Sequence, residues 1–302
     1  MPRSTNKTIA RTRMQYLGEP RSAALDAVPR DGSLGLDTCS PEQRRLRALI
    51  ALGLFNRPGT WQPHRGVAAW GLHTLVAYDI ITSPQFNRLV LITDVPHNVA
   101  PYLLPSRDGG SSLPGLRLEE FRGRRTYVAR HLPTGAQLVI TGNRSGTWNG
   151  KLRPSPRWGF FRVNRPLTGT ERTQLAEVPD MSEDAERLLA GLTCRIAARD
   201  AQGRWAIGNW FSDPLTRPGW LADQGEDRYE KQLHGSGHQW TFRWNGFPNV
   251  EDVALSLTAS PVGVPGAIAR TAGDHFEVRL GSATLRLGGQ RAPMQQESEG
   301  TP

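Results

Sequence analysis

"RTYVARHLPTGAQLVITG", Arg125 to Gly142, sets the structural period for the middle of the chain. Tyr127 and Ala129 alternate with Val128 and Arg130, a Pro-Thr-Gly turn follows, and "AQLVI" supplies a second apolar run; this grammar predicts a β-hairpin. A later stretch, "GDHFEVRLGSATLRLGG" from Gly273 to Gly289, repeats the order of aromatic, apolar residue, Arg, turn and aliphatic strand ending in Gly. No fixed period links the two, so they are read as two similar hairpins, with a duplicated β-domain as the alternative.

Strand signals extend outward from these hairpins. "RLVLITDV" is a buried run beginning near Leu89, and "WGFFRV" is a further strand candidate. "TCRIAAR" and "RWAIGNWF", joined by "DAQG", read as another hairpin, and "QWTFRW", "VALSLT", "HFEVRL" and "ATLRLGG" read as strands of the last third. Helical spacing dominates before residue 84. Residues 8–28 form two short helices with Gly18 as the first stop and Pro20 opening the second, whose apolar face is Ala24, Leu25 and Val28. Ser40, Pro41 and Gln43 start a third helix with Leu46, Leu49, Ile50 and Gly53 inside and Arg44, Arg45 and Arg47 outside. A fourth, from about Val67 to Ile81, is supported by Trp70, Thr74, Tyr78 and Ile81 and ended by Ser83-Pro84. Two more are expected near Thr170–Val178 and Ser182–Ala190.

The fold expected is therefore α+β: an N-terminal helical part followed by an antiparallel β-rich body with two inserted helices. The segments are 1–30, an N-terminal helical piece; 31–84, a helical region; 85–288, the β-rich body; and 289–302, a tail with almost nothing to bury, expected to be disordered. Gly and Pro total 55 of 302 residues, which favours short elements and many turns.

Charge is distributed unevenly. The chain carries +9 overall with 34 Arg against 3 Lys, a ratio that serves bidentate phosphate recognition or simply follows a GC-rich genome. Residues 117–165 hold eleven cations against Glu119 and Glu120 only, whereas 166–302 sum to −5. Within that block "TWNGKLRPSPRWGFFR" interleaves cations with aromatic rings, the combination by which single-stranded nucleic acid is bound: rings stack on bases and guanidinium groups neutralise phosphates. The candidate nucleic-acid contacts are Arg122, Arg124, Arg125, Arg130, Arg144, Trp148, Lys151, Arg153, Arg157, Trp158 and Arg162. The alternative is that Trp158, Phe160 and Phe161 belong to a core strand and the arginines are merely solvated.

No complete catalytic, cofactor or metal signature occurs. In "HGSGH", His234 and His238 lie four apart and Asp227 and Glu230 lie upstream, but two Gly in the spacer oppose a helix, so metal ligation ranks below two polar loop histidines. Asp79, Asp94 and His97 flank the first buried strand without a nucleophile to complete a catalytic set. Cys39 and Cys194 are too few for a disulfide framework or a Cys-based zinc site. With no apolar run of membrane-spanning length and no secretory leader, a cytoplasmic protein without a membrane partner is expected.

The stretch "ARTRMQYLGEPRSAAL", of the form A-R-x-x-M, G-E-P, A-L, resembles a short N-terminal module of uncharacterised actinobacterial proteins and, distantly, the helix-turn-helix half of ribbon-helix-helix antitoxins. It covers about 21 residues and lacks the alternating strand that precedes the first helix in such antitoxins. Three functions follow in order: an accessory protein that binds nucleic acid through 117–165 without chemistry of its own, an interaction or structural component of a larger assembly, and a metal-dependent hydrolase using His234 and His238.

Overall fold

A computed structural model describes residues 3–56, 80–107, 112–123, 125–142, 159–208, 231–244, 247–273 and 275–289. Among these are seven helices and ten strands in two mixed five-stranded sheets, an α+β fold.

The two sheets have the same construction. Helix α3 (Pro41–Leu54) precedes the hairpin β1 (Ile81–Gln85) and β2 (Arg88–Ile92), then α4 (Pro96–Leu103) and β3 (Leu116–Arg122), β4 (Thr126–His131) and β5 (Gln137–Thr141). Helix α6 (Glu183–Cys194) precedes β6 (Lys231–Ser236) and β7 (Gln239–Trp244), then α7 (Val250–Thr258) and β8 (Ile268–Ala272), β9 (His275–Leu280) and β10 (Ala283–Gly289). The strand orders are β1-β2-β5-β4-β3 and β6-β7-β10-β9-β8, with β2·β5 and β7·β10 parallel and the remaining neighbours antiparallel. The two similar hairpins of the sequence are β4–β5 and β9–β10, which occupy equivalent places. Further matches flank them. Val99-Ala100 with Leu103 on α4 and Val253-Ala254 with Leu257 on α7 are buried at identical spacing, and Leu113-Pro114-Gly115 and Val264-Pro265-Gly266 lead into β3 and β8 with Gly φ of 80° and 84°.

The halves meet through α3 and α6, and each helix end reaches the opposite sheet. The Phe55 carbonyl, just after α3, accepts from Leu233 N of β6, and Thr82 Oγ1 of β1 donates to the Cys194 carbonyl that ends α6. Asn56 spans the same joint, with Oδ1 accepting from Leu233 N (3.1 Å) and Nδ2 donating to Leu233 O (2.9 Å). A single apolar core consequently runs through both halves, from Leu46 and Ile50 through Leu91 and Leu138 to Trp244 and Leu285.

The N-terminal helices α1 (Arg3–Leu17) and α2 (Arg21–Asp26) lie against β1, where Ala23 packs on Ile81, Val90, Ile92, Val128 and Val139. The residues of the N-terminal motif serve this packing. Ala10 and Ala24 are buried, Gly18 ends α1 at φ 70°, and Glu19 holds Arg13 (2.6 Å) with neither side chain exposed. Arg13 also donates to the Pro84 carbonyl of β1, which fastens the helices to the sheet. Leu25, expected inside, is 40% exposed; Ala27 takes its place.

Several expectations are corrected. Ile81 to Pro84 end no helix: they are strand β1, an edge position where a proline lacking its N–H is tolerated, and residues 57–79 of the expected helix lie outside the described residues. The β-rich region therefore opens at Ile81 rather than near 85–89, it is mixed rather than antiparallel, and it contains α4 and α7 besides α5 (Gly169–Ala176) and α6. "VALSLT" is helical because Val253, Ala254 and Leu257 face the sheet on one side, with Glu251 and Asp252 in the first turn, where the helix dipole favours acids. "TCRI" closes α6 instead of starting a hairpin; what the described residues keep of it is a short pairing around Arg199↔Ala206, with Asp200 N donating to Trp205 O and Ile207 N to Ala198 O. Arg47 is fully buried, donating to the Leu36 and Gln85 carbonyls, because α3 is enclosed on nearly every side. Gly289 completes β10, and 290–302 lie outside the described residues.

Candidate functional site

The basic block forms the edge and one corner of the first sheet. Two of its cations are structural. Arg117 on β3 is buried and pairs with Glu171 of α5 (2.7 Å to each carboxylate oxygen), which also caps α5 through Thr168 and accepts from Gly115 N. Burial raises the Glu171 carboxyl, but Arg117 and the two N–H groups outweigh it and hold the group at about 2. Arg130 is bound to Glu119 (2.7 Å) beside Gln137 on the sheet face. The only two acids of the block are thus both engaged by its own arginines, since Glu120 pairs with Arg122 (2.6 Å) where both side chains are about half exposed.

The rest of the described block surrounds the ends of one loop. Arg125 donates to the Asp94 carbonyl (2.9 Å), and its guanidinium covers Gly142 so closely that a Cβ there would lie 2.7 Å from Nε. Chain therefore leaves β5 against Arg125. It returns at Gly159, whose carbonyl accepts from Arg107 N (3.2 Å), and continues into exposed Arg162 and Arg165. Arg144, Trp148, Lys151, Arg153, Arg157 and Trp158 belong to the intervening segment and, with Arg124, lie outside the described residues. From Phe121 to Thr170 no acid occurs.

The aromatic residues after the loop divide their roles. Phe160 packs edge-on against Tyr127 (6.0 Å between centroids) as part of the core margin. Phe161 lies between two guanidinium groups, 4.2 Å from Arg165 and 5.3 Å from Arg117. Backbone of this segment runs beside β3, with Leu118 N donating to Phe161 O (2.8 Å) and a parallel pair Leu118↔Arg162. "GFFR" is thus neither a full core strand nor a solvated loop but a short strip that covers the β3 edge.

The other candidates are placed as follows. His97 Nδ1 meets Tyr127 Oη at 2.7 Å under Phe121; burial and Arg125 lower the imidazole pKa, and burial pushes the phenol up to about 12. The Asp94 backbone carbonyl accepts from Arg125, and Asp79 lies outside the described residues. "HGSGH" is a hairpin rather than a loose loop: His234 sits on β6 opposite Thr241, and Gly237-His238 is the turn. Gly235 is required there, because at φ 155° a Cβ would come within 2.3 Å of the Gln239 carbonyl oxygen. Among the described residues no group of three or more His, Cys, Asp or Glu side chains is gathered to hold a metal; Asp227 and Glu230 lie outside them.

One charged cluster escaped the sequence reading. On the outer face of the second sheet, Arg270, Arg279 and Arg286 from β8, β9 and β10 converge on Glu277 at 2.6, 2.9 and 3.5 Å, within a region whose summed charge is negative. No protein-family model, curated protein or solved structure matches this chain.

Proposed function

We propose that this chain is a cytoplasmic accessory protein without chemistry of its own, binding single-stranded nucleic acid at the β4–β5 corner. One observation carries the reading: an acid-free run of fifty residues, 121–170, in which Arg125 stands over Gly142, the last described residue before 143–158, and the Gly159 carbonyl, the first after it, accepts from Arg107 N. Arg122 and Arg125 lie at the end of the first sheet where β5 stops, and the acid-free segment that begins there would extend a local positive field, with its Trp148 and Trp158 supplying rings for base stacking. Arg117 and Arg130 are withdrawn from the interface by their partners. The active members are Arg122, Arg124, Arg125, Arg144, Lys151, Arg153, Arg157 and Arg162 with the two Trp.

The test is fluorescence anisotropy of a labelled oligothymidylate against salt. Replacing Arg124, Arg125, Lys151, Arg153 and Arg157 with Ala should weaken binding, each lost phosphate contact lowering the salt slope by about 0.7, with the folded state of the variant checked by its circular dichroism spectrum. An unchanged slope would refute the proposal. A second reading, a protein-interaction component, is supported by a separate feature, the open edge of the second sheet.

A further inference from the structure

The two halves differ at one equivalent place. In the first sheet the outer edge of β3 is covered by the strip 160–162, which pairs with Leu118, and Phe160 of that strip closes over Tyr127, leaving it only 5% exposed. In the second sheet β8 holds the same edge position, and among the described residues it pairs with β9 alone. Ile268, Ala269, Arg270 and Thr271 are all exposed, Ile268 to 64%. Phe276, which takes the place of Tyr127 in the equivalent hairpin, is only partly buried.

We infer that the β8 edge is a docking site for an extended segment of a partner protein, one that alternates apolar with acidic residues and adds to the sheet as a sixth strand. The fold itself shows that this edge geometry accepts an added strip, since β3 carries one. Side-chain chemistry specifies the occupant. Strand side chains alternate between faces, so every second residue of the guest would lie on the inner side, beside the small Ala269 and Thr271, on the face that carries Phe276, as Phe160 meets Tyr127 in the first sheet. The other residues would lie on the outer side, next to Arg270. Across the sheet the row runs His234, Thr241, Arg286, Glu277, Arg270, with Arg279 on the same face, so three guanidinium groups share one carboxylate. Arg270 and Arg279 are about half exposed and held in place by Glu277, ready to pair with a guest carboxylate. A second copy of this chain fits less well: antiparallel self-pairing of β8 about its centre would set Arg270 against its own image, and like charges opposite one another destabilise a strand pair.

The experiment uses the full chain and a fluorescein-labelled peptide of about ten residues alternating Glu with Val and Phe, read by anisotropy. Saturable binding is expected, weakened at least about tenfold by Arg270→Glu. It should be lost when alternate peptide nitrogens are methylated, which removes the ladder bonds, or when Lys replaces Glu in the peptide. Binding that survives methylation would overturn strand addition, and binding indifferent to Arg270→Glu would overturn the acidic specificity. Two competing occupants are read in parallel. Concentration-dependent dimerisation abolished by Arg270→Glu would assign the edge to a second copy, and amide protection of β8 that disappears on removing residues 290–302 would assign it to the tail that holds Glu297 and Glu299; either result overturns the proposal. Oligothymidylate should not displace the peptide, so failure here leaves the corner interface standing, and failure there leaves this one standing.

Discussion

At the scale of single residues, two of the most displaced ionisable groups among the described residues, His131 and Glu171, are bound into the fold. His131 is fully buried on β4, its ring placed between Thr134 Oγ1 (2.9 Å) and the Pro114 carbonyl (3.1 Å), and burial depresses it to about 4 despite that carbonyl. In the unfolded chain the imidazole titrates at its ordinary 6.5, so below that pH the unfolded state binds a proton that the folded state does not. Stability should be complete above 6.5 and fall progressively toward 4, and His131→Gln should flatten the dependence of the thermal midpoint on pH in that window while lowering the midpoint overall. Glu171 acts in a separate and more acidic window: its contribution is present above about 4.5 and lost as pH falls to about 2. Removing its partner by Arg117→Ala leaves a buried carboxylate unpaired and should cost about 3–5 kcal/mol by urea unfolding. The double change Arg117→Met with Glu171→Leu should recover only part of that loss, because it removes both charges from the interior but takes the carboxylate away from Thr168 N and Gly115 N.

Elements in this chain are positioned by close approach as much as by propensity. Gly191 lies in the second half of α6, where Ala is intrinsically better by about 1 kcal/mol, yet an added Cβ would stand 2.6 Å from Val264 Cγ2 in the turn that leads to β8. Overpacking of that kind costs about 1–3 kcal/mol, so Gly191→Ala should lower the urea midpoint despite the propensity gain. A raised midpoint would show that the Val264 turn yields. Two helix starts were legible because their chemistry is local: Ser40 and Ser182 accept from Gln43 N and Ala185 N, whereas the reciprocal cap of Thr168 with Glu171 starts α5 just before the expected Thr170. The type of α7 was not, since "VALSLT" satisfies both periods over six residues and only its packing on β9 and β10 selects the helical one.

For the whole molecule, the exchange of contacts between halves predicts one unfolding unit. Asn56 is buried and its Nδ2 donates to Leu233 O across the joint, so Asn56→Ala takes this donor from a buried carbonyl at about 1–3 kcal/mol, while Leu233 N keeps the Phe55 carbonyl. Calorimetry should show a single transition moved to lower temperature. Two resolved transitions in that variant would mean that the halves are separately stable despite the shared core.

What the sequence determined by itself is whatever depends on neighbours along the chain: the β4–β5 and β9–β10 hairpins, the capped helix starts, and the acid-free run 121–170. The likeness of the two halves was partly visible in those hairpins and in the recurrent Val-Ala-x-x-Leu and Pro-Gly signals, but loops of unequal length remove any fixed period. Only the tertiary structure decided that the halves share one strand order. It alone paired Arg117 with Glu171 and Arg130 with Glu119, so that two cations of the basic block each face a carboxylate. Arg270, Arg279 and Arg286 gather around Glu277 because strand register places them there, although the region's summed charge is negative. Charge counted along a chain and charge met on a surface differ because antiparallel and parallel pairing bring distant residues within hydrogen-bonding distance, and no local pattern records which ones.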